Sequence, residues 1–493
     1  MSAPAPASFC WFDYETFGTS PAWDRPAQFA AVRTDVELNE IGEPLVLHCR
    51  QSDDYLPHPA ACRVTGLAPD ALGEDVLPEH RFIETIRASL GAPGTCSVGY
   101  NSIRFDDEFT RHTLFRNLHD PYAHEWRDGA SRWDLLDVVR LTRALRPEGI
   151  EWPVFDGRPS NRLEHLSAAN ALAAGRAHDA LVDVRATIAL AALIRRHQPR
   201  LFAHALAHRD KRSARALLDL ERREPVILVS SAIPPARHHL ALVVPIAPHP
   251  SNPNAIVVLD LAHDPEAFAD LDAQEIGARV FARGVPADDP SRVGLHAVAV
   301  NRCPVLVPRA ALRAADAERL DIDLARADAH LDALERRLDA SLRVRVRDAF
   351  SRPADDAAAP DVDASLYTGG FLSAADRARL DAVRAADPAA IGALDIGFAD
   401  PRLPEMLFRY RARNHPDTLD AAERERWAAH VRQRLEAGED APWLGIAGFE
   451  RAMAEQDWRP EEAPLRESLA RYAATLAGRI GREPVLCADH PRP

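Results

Sequence analysis

Asp13 and Glu15 close an apolar run, Ser8-Phe9-Cys10-Trp11-Phe12-Asp13-Tyr14-Glu15-Thr16. Residues two apart in a strand share a face, so a strand here projects both carboxylates together at its end. Adjacent carboxylates repel unless a shared proton or a divalent cation neutralises them. A lone Asp-x-Glu is a weak signal, because surface strands carry such pairs by chance. Two more acidic motifs add to it. In Gly99-Tyr100-Asn101-Ser102-Ile103-Arg104-Phe105-Asp106-Asp107-Glu108, an apolar strand over 95–100 turns into a helix that opens on the acidic triplet. In Ala177-His178-Asp179-Ala180-Leu181-Val182-Asp183, Asp179 is the expected N-cap of an apolar helix. That leaves His178 on the preceding loop and Asp183 one turn inside. Taken singly, His178 reads as a loop histidine and Asp183 as a first-turn acid favoured by the helix dipole.

The elements that must position these groups read as α/β over residues 1–198. Strands are expected at 8–13, 29–37, 44–50 and 95–100, and helices at 107–118 and 180–197, giving a mixed sheet covered by helices. From 199 to 350 an Arg-rich helical stretch gives way to strand-like runs at 226–229, 239–245, 255–261 and 295–307, a small barrel pattern, before helices return at 310–350. Residues 351–363 read as a linker and 364–493 as helical, with Leu465, Leu469, Tyr472 and Leu476 as a core stripe.

The net charge of −14 argues against a generally basic nucleic-acid binder but permits a local basic groove. Lys211 is the sole lysine, so the abundance of arginine is compositional and carries no binding signal. Six cysteines without ligand spacing read as reduced thiols of a cytoplasmic protein. The amino terminus lacks the pattern of a signal peptide. No run approaches the roughly 18 apolar residues of a membrane span, so no membrane partner is expected.

Asp-x-Glu, Asn-x-x-x-Phe-Asp and His-x-x-x-x-Asp, in that order, resemble the DEDDh exonuclease family. Within it, Asp13-Tyr14-Glu15-Thr16-Phe17-Gly18-Thr19, Ser131-Arg132-Trp133-Asp134-Leu135-Leu136-Asp137, Leu145-Arg146-Pro147-Glu148-Gly149-Ile150 and Tyr410-Arg411-Ala412-Arg413-Asn414 look like the bacterial exodeoxyribonuclease I group. The likeness implies a ribonuclease H-like exonuclease core, an SH3-like β-barrel domain and a C-terminal helical domain. It also implies a monomer with processive 3′→5′ exonuclease activity on single-stranded DNA in repair or recombination. An RNA-trimming enzyme of the same superfamily is the alternative, and a catalytically silent binding scaffold is a third reading.

Under this resemblance Asp13, Glu15, Asp106 and Asp183 hold two divalent ions about 4 Å apart, and His178 is the general base. An all-oxygen set suits Mg²⁺ with Mn²⁺ as substitute, whereas zinc favours His and Cys. Substrate contacts are expected from Glu15, Thr16, Phe17, Arg162, Arg111, Tyr122, Trp126 and Arg140, and further along from Asn254 and Tyr367. The plain readings stay open: Phe17, Tyr122 and Trp126 as core, Arg162 as a surface arginine. The resemblance also implies docking of the acidic C-terminal tail of single-stranded DNA-binding protein on a rim containing Arg146, with Arg336 or Arg337 as second cation. Those two read equally well as ordinary surface arginines.

Overall fold

The computed structural model describes residues 3–73, 75–172, 179–282, 284, 292–351, 361–394 and 396–482. Six strands form the first sheet: β1 (Ser8–Thr16), β2 (Pro26–Thr34), β3 (Leu45–Arg50), β4 (Val76–Pro78), β5 (Thr95–Gly99) and β6 (Ser131–Asp134), in the order β4-β3-β2-β1-β5-β6. β1 pairs antiparallel with β2 and parallel with β5. Helices α1 (Pro59–Thr65), α2 (Glu79–Leu90), α3 (Asp106–Arg116), α4 (Leu135–Leu145), α5 (Leu163–Asn170) and α6 (Ala180–His197) accompany it. This is the ribonuclease H-like arrangement, a mixed sheet with helices on its faces. The expected strands and the helices at 107–118 and 180–197 are present, while α1, α2, β4, β6, α4 and α5 are additional to the expected elements.

Both faces of β1 are apolar because both are covered. Phe9 and Trp11 join a core with Val184, Ile188 and Ala191 of α6, while Cys10, Phe12 and Tyr14 pack with Phe82, Ile83 and Ile86 of α2. Asp13 and Glu15 continue the Phe9–Trp11 face. They therefore point to the side of the sheet where α6 lies.

A second, five-stranded antiparallel sheet follows: β7 (Val226–Val229), β8 (Leu240–Pro248), β9 (Ala255–Asp260), β10 (Leu295–Ala299) and β11 (Val305–Pro308), in the order β10-β9-β8-β7-β11. Its strands alternate between two buried faces. Ile227, Leu242 and Val257 enter the core shared with the nuclease region, and Leu228, Val243 and Val258 enter a second cluster with Ala214 and Leu218. The run expected at 295–307 is broken in two. The chain turns at Asn301–Cys303, where Cys303 takes φ +45°, and Val300 N–H donates to the Asn254 carbonyl.

Beyond the expected linker, most of which lies outside the described residues, the chain is helical to Arg479. This part does not stand apart. Phe17, Tyr55, Leu56 and Cys62 share one core with Phe408, Trp427 and Leu469. No helix among the described residues is long and apolar enough to cross a membrane.

Candidate active site

Three acids converge where β1 leaves its parallel partner. Oxygens of Asp13, Glu15 and Asp183 lie within 4.8 Å of one another. β5 pairs with β1 only as far as Trp11, opposite Val98. Beyond that point the Tyr14 N–H is free of the β5 ladder and donates to Asp106 Oδ1 at 3.2 Å. That bond fastens the first turn of α3 to the strand between Asp13 and Glu15.

α6 arrives by its own N-terminus. Asp179 caps it as expected, accepting from the Leu181 N–H at 3.1 Å. The Ala180 N–H donates to Gln28 Oε1 at 3.3 Å, and Gln28 sits opposite Glu15 in the β1–β2 ladder. Gln28 thus sets Asp183 against the strand acids. Sequence reasoning missed this role, since a single glutamine on a strand carries no spacing signal. His178 lies outside the described residues.

The site is strongly anionic. Burial, and then the negative charges of Asp106, Glu15 and Asp183, push the Asp13 carboxyl well above its ordinary range. Burial and the neighbouring Asp107 do the same to Asp106. Such a cluster requires compensating positive charge to stay ionised. All donors are carboxylate oxygens at one strand end, which fits hard divalent cations.

Consecutive residues 100° apart on α3 divide the acidic triplet among three tasks. Asp106 faces β1. Asp107 accepts from Arg132 Nη1 at 2.6 Å. Glu108 accepts from Arg111 Nη1 at 2.8 Å and from the Tyr367 hydroxyl, with Arg302 Nη2 at 3.8 Å. Residues from all three regions of the chain thereby meet beside the acids. They open onto a cavity of about 740 Å³ whose lining includes Arg111, Tyr122, Trp126, Asn254, Tyr367 and Phe371.

The expected substrate contacts fare unevenly. Trp126 is 63% exposed and so is no core residue, and Tyr122 lies half-buried with Phe371 edge-on at 5.7 Å between ring centres. Tyr367 and Asn254 line the cavity. Arg162 is exposed at the start of α5, with Glu164 at 3.6 Å. Arg140 donates to Asp137 at 2.6 Å and is largely buried, lying away from the large cavity's lining. The Phe17 ring is fully buried in the core that includes Tyr55, Cys62 and Phe408, as its packed reading expects. Thr16 is buried too, its hydroxyl donating to the Gly18 carbonyl at 2.6 Å.

The rim residues are also partly engaged. Arg146 braces the nuclease region to the second, donating to Asp316 Oδ2 and to the Ala311 carbonyl, each at 2.8 Å. Arg337 pairs with Asp270 and Glu266, while Arg336 is exposed.

A mixed sheet with clustered acids at the end of its central strand, and a groove of arginines and exposed rings beside them, defines a metal-dependent phosphodiester hydrolase. Family models match along most of the chain: Exonuclease over residues 10–191, Exonuclease I SH3-like domain over 209–352 and Exonuclease I C-terminal domain over 360–476. The chain is 46% identical over 431 residues to Exodeoxyribonuclease I of Escherichia coli K12, covering 87% of this chain and 90% of that one. It superposes on Exonuclease I of Methylocaldum szegediense with TM-score 0.89 and 47% identity, over 95% of this chain and 99% of that one. It superposes equally, TM-score 0.89 at 42% identity over 96% and 100%, on the zinc-bound E. coli ExoI–ssDNA complex. A structure of SSB/Exonuclease I in complex with an inhibitor matches with TM-score 0.86 at the same identity and coverage. The chain belongs to the exodeoxyribonuclease I family and is a nuclease.

Proposed function

We propose that this chain is a processive 3′→5′ exonuclease that removes 5′-mononucleotides from single-stranded DNA in repair or recombination. The observation that carries the reading is the convergence of Asp13, Glu15 and Asp183 within 4.8 Å at the end of β1. Asp106 is bound to the same strand segment. The four carboxylates are suited to hold two divalent ions, Mg²⁺ ordinarily and Mn²⁺ as substitute. Bound there, such ions supply charge neutralisation at the scissile phosphate and the leaving 3′-oxygen and lower the pKa of the attacking water.

The protein's own groups do the rest. His178, assigned from its place in the His-x-x-x-x-Asp motif, accepts the proton of the attacking water, imidazole being the side chain that titrates nearest neutrality. Arg162, exposed and only loosely engaged, takes the terminal phosphate. Thr16 borders the terminal nucleotide next to Glu15. Tyr122 and Trp126 offer faces on which successive bases stack, a contact every base can make. The E. coli relative's complexes with single-stranded DNA and with a dA16 oligonucleotide support this strand choice.

The SSB/Exonuclease I structure supports single-stranded DNA-binding protein as a partner. Arg336, exposed, is the rim cation best placed to meet an acidic tail, with Arg146 and Arg337 contributing from within their ion pairs. Four buried, unpaired thiols, Cys10, Cys49, Cys62 and Cys96, support a reducing cytoplasm, and we assign the active form as a monomer. Comparing matched DNA and RNA oligonucleotides, single- and double-stranded, with and without Mg²⁺ tests the reading. Single-stranded DNA should be degraded fastest, from the 3′ end, and only with the cation.

A further inference from the structure

Arg111 reaches the cavity as an arginine suited to gripping a phosphate, yet carboxylates already hold its donors. Nε donates to Glu125 Oε1 at 2.6 Å and Nη2 to Glu125 Oε2 at 3.0 Å, the two-pronged geometry a guanidinium also makes with phosphate. Nη1 donates to Glu108 at 2.8 Å and to the Tyr367 hydroxyl at 3.3 Å. Glu125 also meets Arg132 Nε at 3.2 Å. Arg111, Glu125 and Arg132 all line the large cavity, as do the rings of Tyr122, Trp126 and Phe371. Phe371 is 85% exposed, and the Arg111 guanidinium lies 5.5 Å from the Tyr122 ring centre. The unit is stiff, because both partners are buried and separating them strands a charge away from water.

We infer that Glu125, assisted by Glu108, is a positioning residue that occupies the phosphate-binding fork of Arg111, so that a strand in this cavity is held by its bases on the rings more than by its phosphates. The inference rests on the single-strand reading of this site. A strand that advances one nucleotide per cut must break every contact at every step. Stacking on an aromatic face is remade by whichever base arrives. A two-pronged arginine–phosphate pair is directional and charge-assisted, so an unmasked Arg111 would act as a brake. Glu125 gives the guanidinium a permanent partner and leaves its face, over Tyr122, to help form the stacking surface.

The test is Glu125→Gln, which keeps the side chain's shape and an acceptor for Arg111 while removing the charge. Affinity for a dT12 strand is read by fluorescence anisotropy in EDTA across a salt series, and steady-state kinetics on a long strand are read in Mg²⁺. The variant should bind roughly 3–10-fold tighter at low salt, with the log K against log salt slope steeper by about 0.7, the value for one added phosphate contact on a single strand. KM and kcat should fall together, a split that simple loss of structure does not produce. Glu108→Gln should move the same way by less, and it decides the matter if Glu125→Gln melts early. In an Arg111→Gln background the gain should vanish. Unchanged or weaker binding in both variants, or a gain that survives Arg111→Gln, overturns the inference. A wild-type protein that neither binds nor degrades single-stranded DNA overturns the functional reading and this inference with it. Normal wild-type activity with no tightening in the variants overturns this inference alone.

Discussion

The backbone N–H of Tyr14 donates to Asp106 Oδ1 at 3.2 Å, so the strand bearing Asp13 and Glu15 and the helix bearing Asp106 are joined at the site itself. The bond exists because β5 stops pairing with β1 at Trp11, leaving the Tyr14 amide for a side chain. Asp106 is therefore an acceptor for the backbone and, in the metal set proposed above, also a charge toward cations.

Asp106→Asn should separate them. The amide oxygen can still accept from Tyr14, so the melting temperature without metal should hold or rise as a buried like charge is removed. Mn²⁺ affinity, by calorimetry, should drop at least about 10–100-fold, the loss seen when even an outer partner of a metal ligand is removed. Asp106→Ala should lose the anchor as well and melt earlier. An Asn variant with wild-type Mn²⁺ affinity would remove Asp106 from the metal set.

His178 should behave differently from the acids. His178→Ala should slow the chemical step about 10²–10⁴-fold in single-turnover assays while Mn²⁺ titrates as in the wild type. Loss of metal binding would recast the histidine as a ligand.

Much of this site was legible because its spacing carries physics. Two residues along a strand share a face, and an Asp before an apolar helix caps it, so Asp13, Glu15, Asp179 and Asp183 could be placed from the chain alone. Groups that act through tertiary contacts were not. Gln28 on α6, Glu125 on Arg111 and Glu79 on Arg116 at 2.8 Å have no local pattern, only partners distant in sequence. Phe17 shows the converse: its place beside the acids gives no sign that the chain, just past β1, sends that ring inward to the core shared with Phe408. Along 295–307, β-propensity alone is continuous and does not mark the reversal at Cys303.

Arg413 should prove central to attachment of the helical region. It donates to Asp54 at 2.7 Å and to Asp363 at 2.5 Å, all three buried. Burial alone would raise both carboxyls, but Arg413, joined by His430 and Arg25 at Asp54 and by Arg409 and Arg25 at Asp363, holds them well below the usual carboxylate range. Folded pKa values depressed in this way contribute stability above the unfolded range of about 4, and that stability is lost as pH falls through the folded values. Arg413→Met should cost up to about 3–5 kcal/mol near neutrality, because Asp54 loses its nearest cation and Asp363 keeps only the more distant Arg409, at 3.3 Å, and Arg25, at 3.9 Å, and it should cost less in acid. Urea unfolding at pH 7 and pH 3.5 checks this; an equal loss at both would refute the electrostatic account.

Arg146 and Arg336 should part company. Arg146→Ala removes a brace to Asp316 and Ala311 and should lower the melting temperature, whereas Arg336→Ala should not. Both should weaken a labelled acidic tail peptide of single-stranded DNA-binding protein in anisotropy, and added salt should weaken the wild type similarly. Undiminished binding by Arg336→Ala would remove that residue from the rim.

Enclosure of the strand is best probed by point substitution, since cutting at residue 363 would bare the core that Phe17 and Tyr55 share with Trp427. Trp126→Ala and Phe371→Ala should each weaken a long single strand by about 1–3 kcal/mol and reduce the nucleotides removed per encounter under competitor DNA. Cleavage of a trinucleotide should suffer less. Equal losses on long and short substrates would contradict a stacking track.

In the proposed reaction, four carboxylates at the end of β1 drive metal-dependent removal of nucleotides from the 3′ end of single-stranded DNA. A time course on one 5′-labelled strand, with Mg²⁺ and then with EDTA, tests it most directly, with Asp13→Ala run alongside. The ladder should shorten from the 3′ end with 5′-mononucleotide products in Mg²⁺, and should not change with EDTA or in Asp13→Ala. Immediate release of the label as a mononucleotide, or degradation that persists in EDTA or in Asp13→Ala, would contradict it.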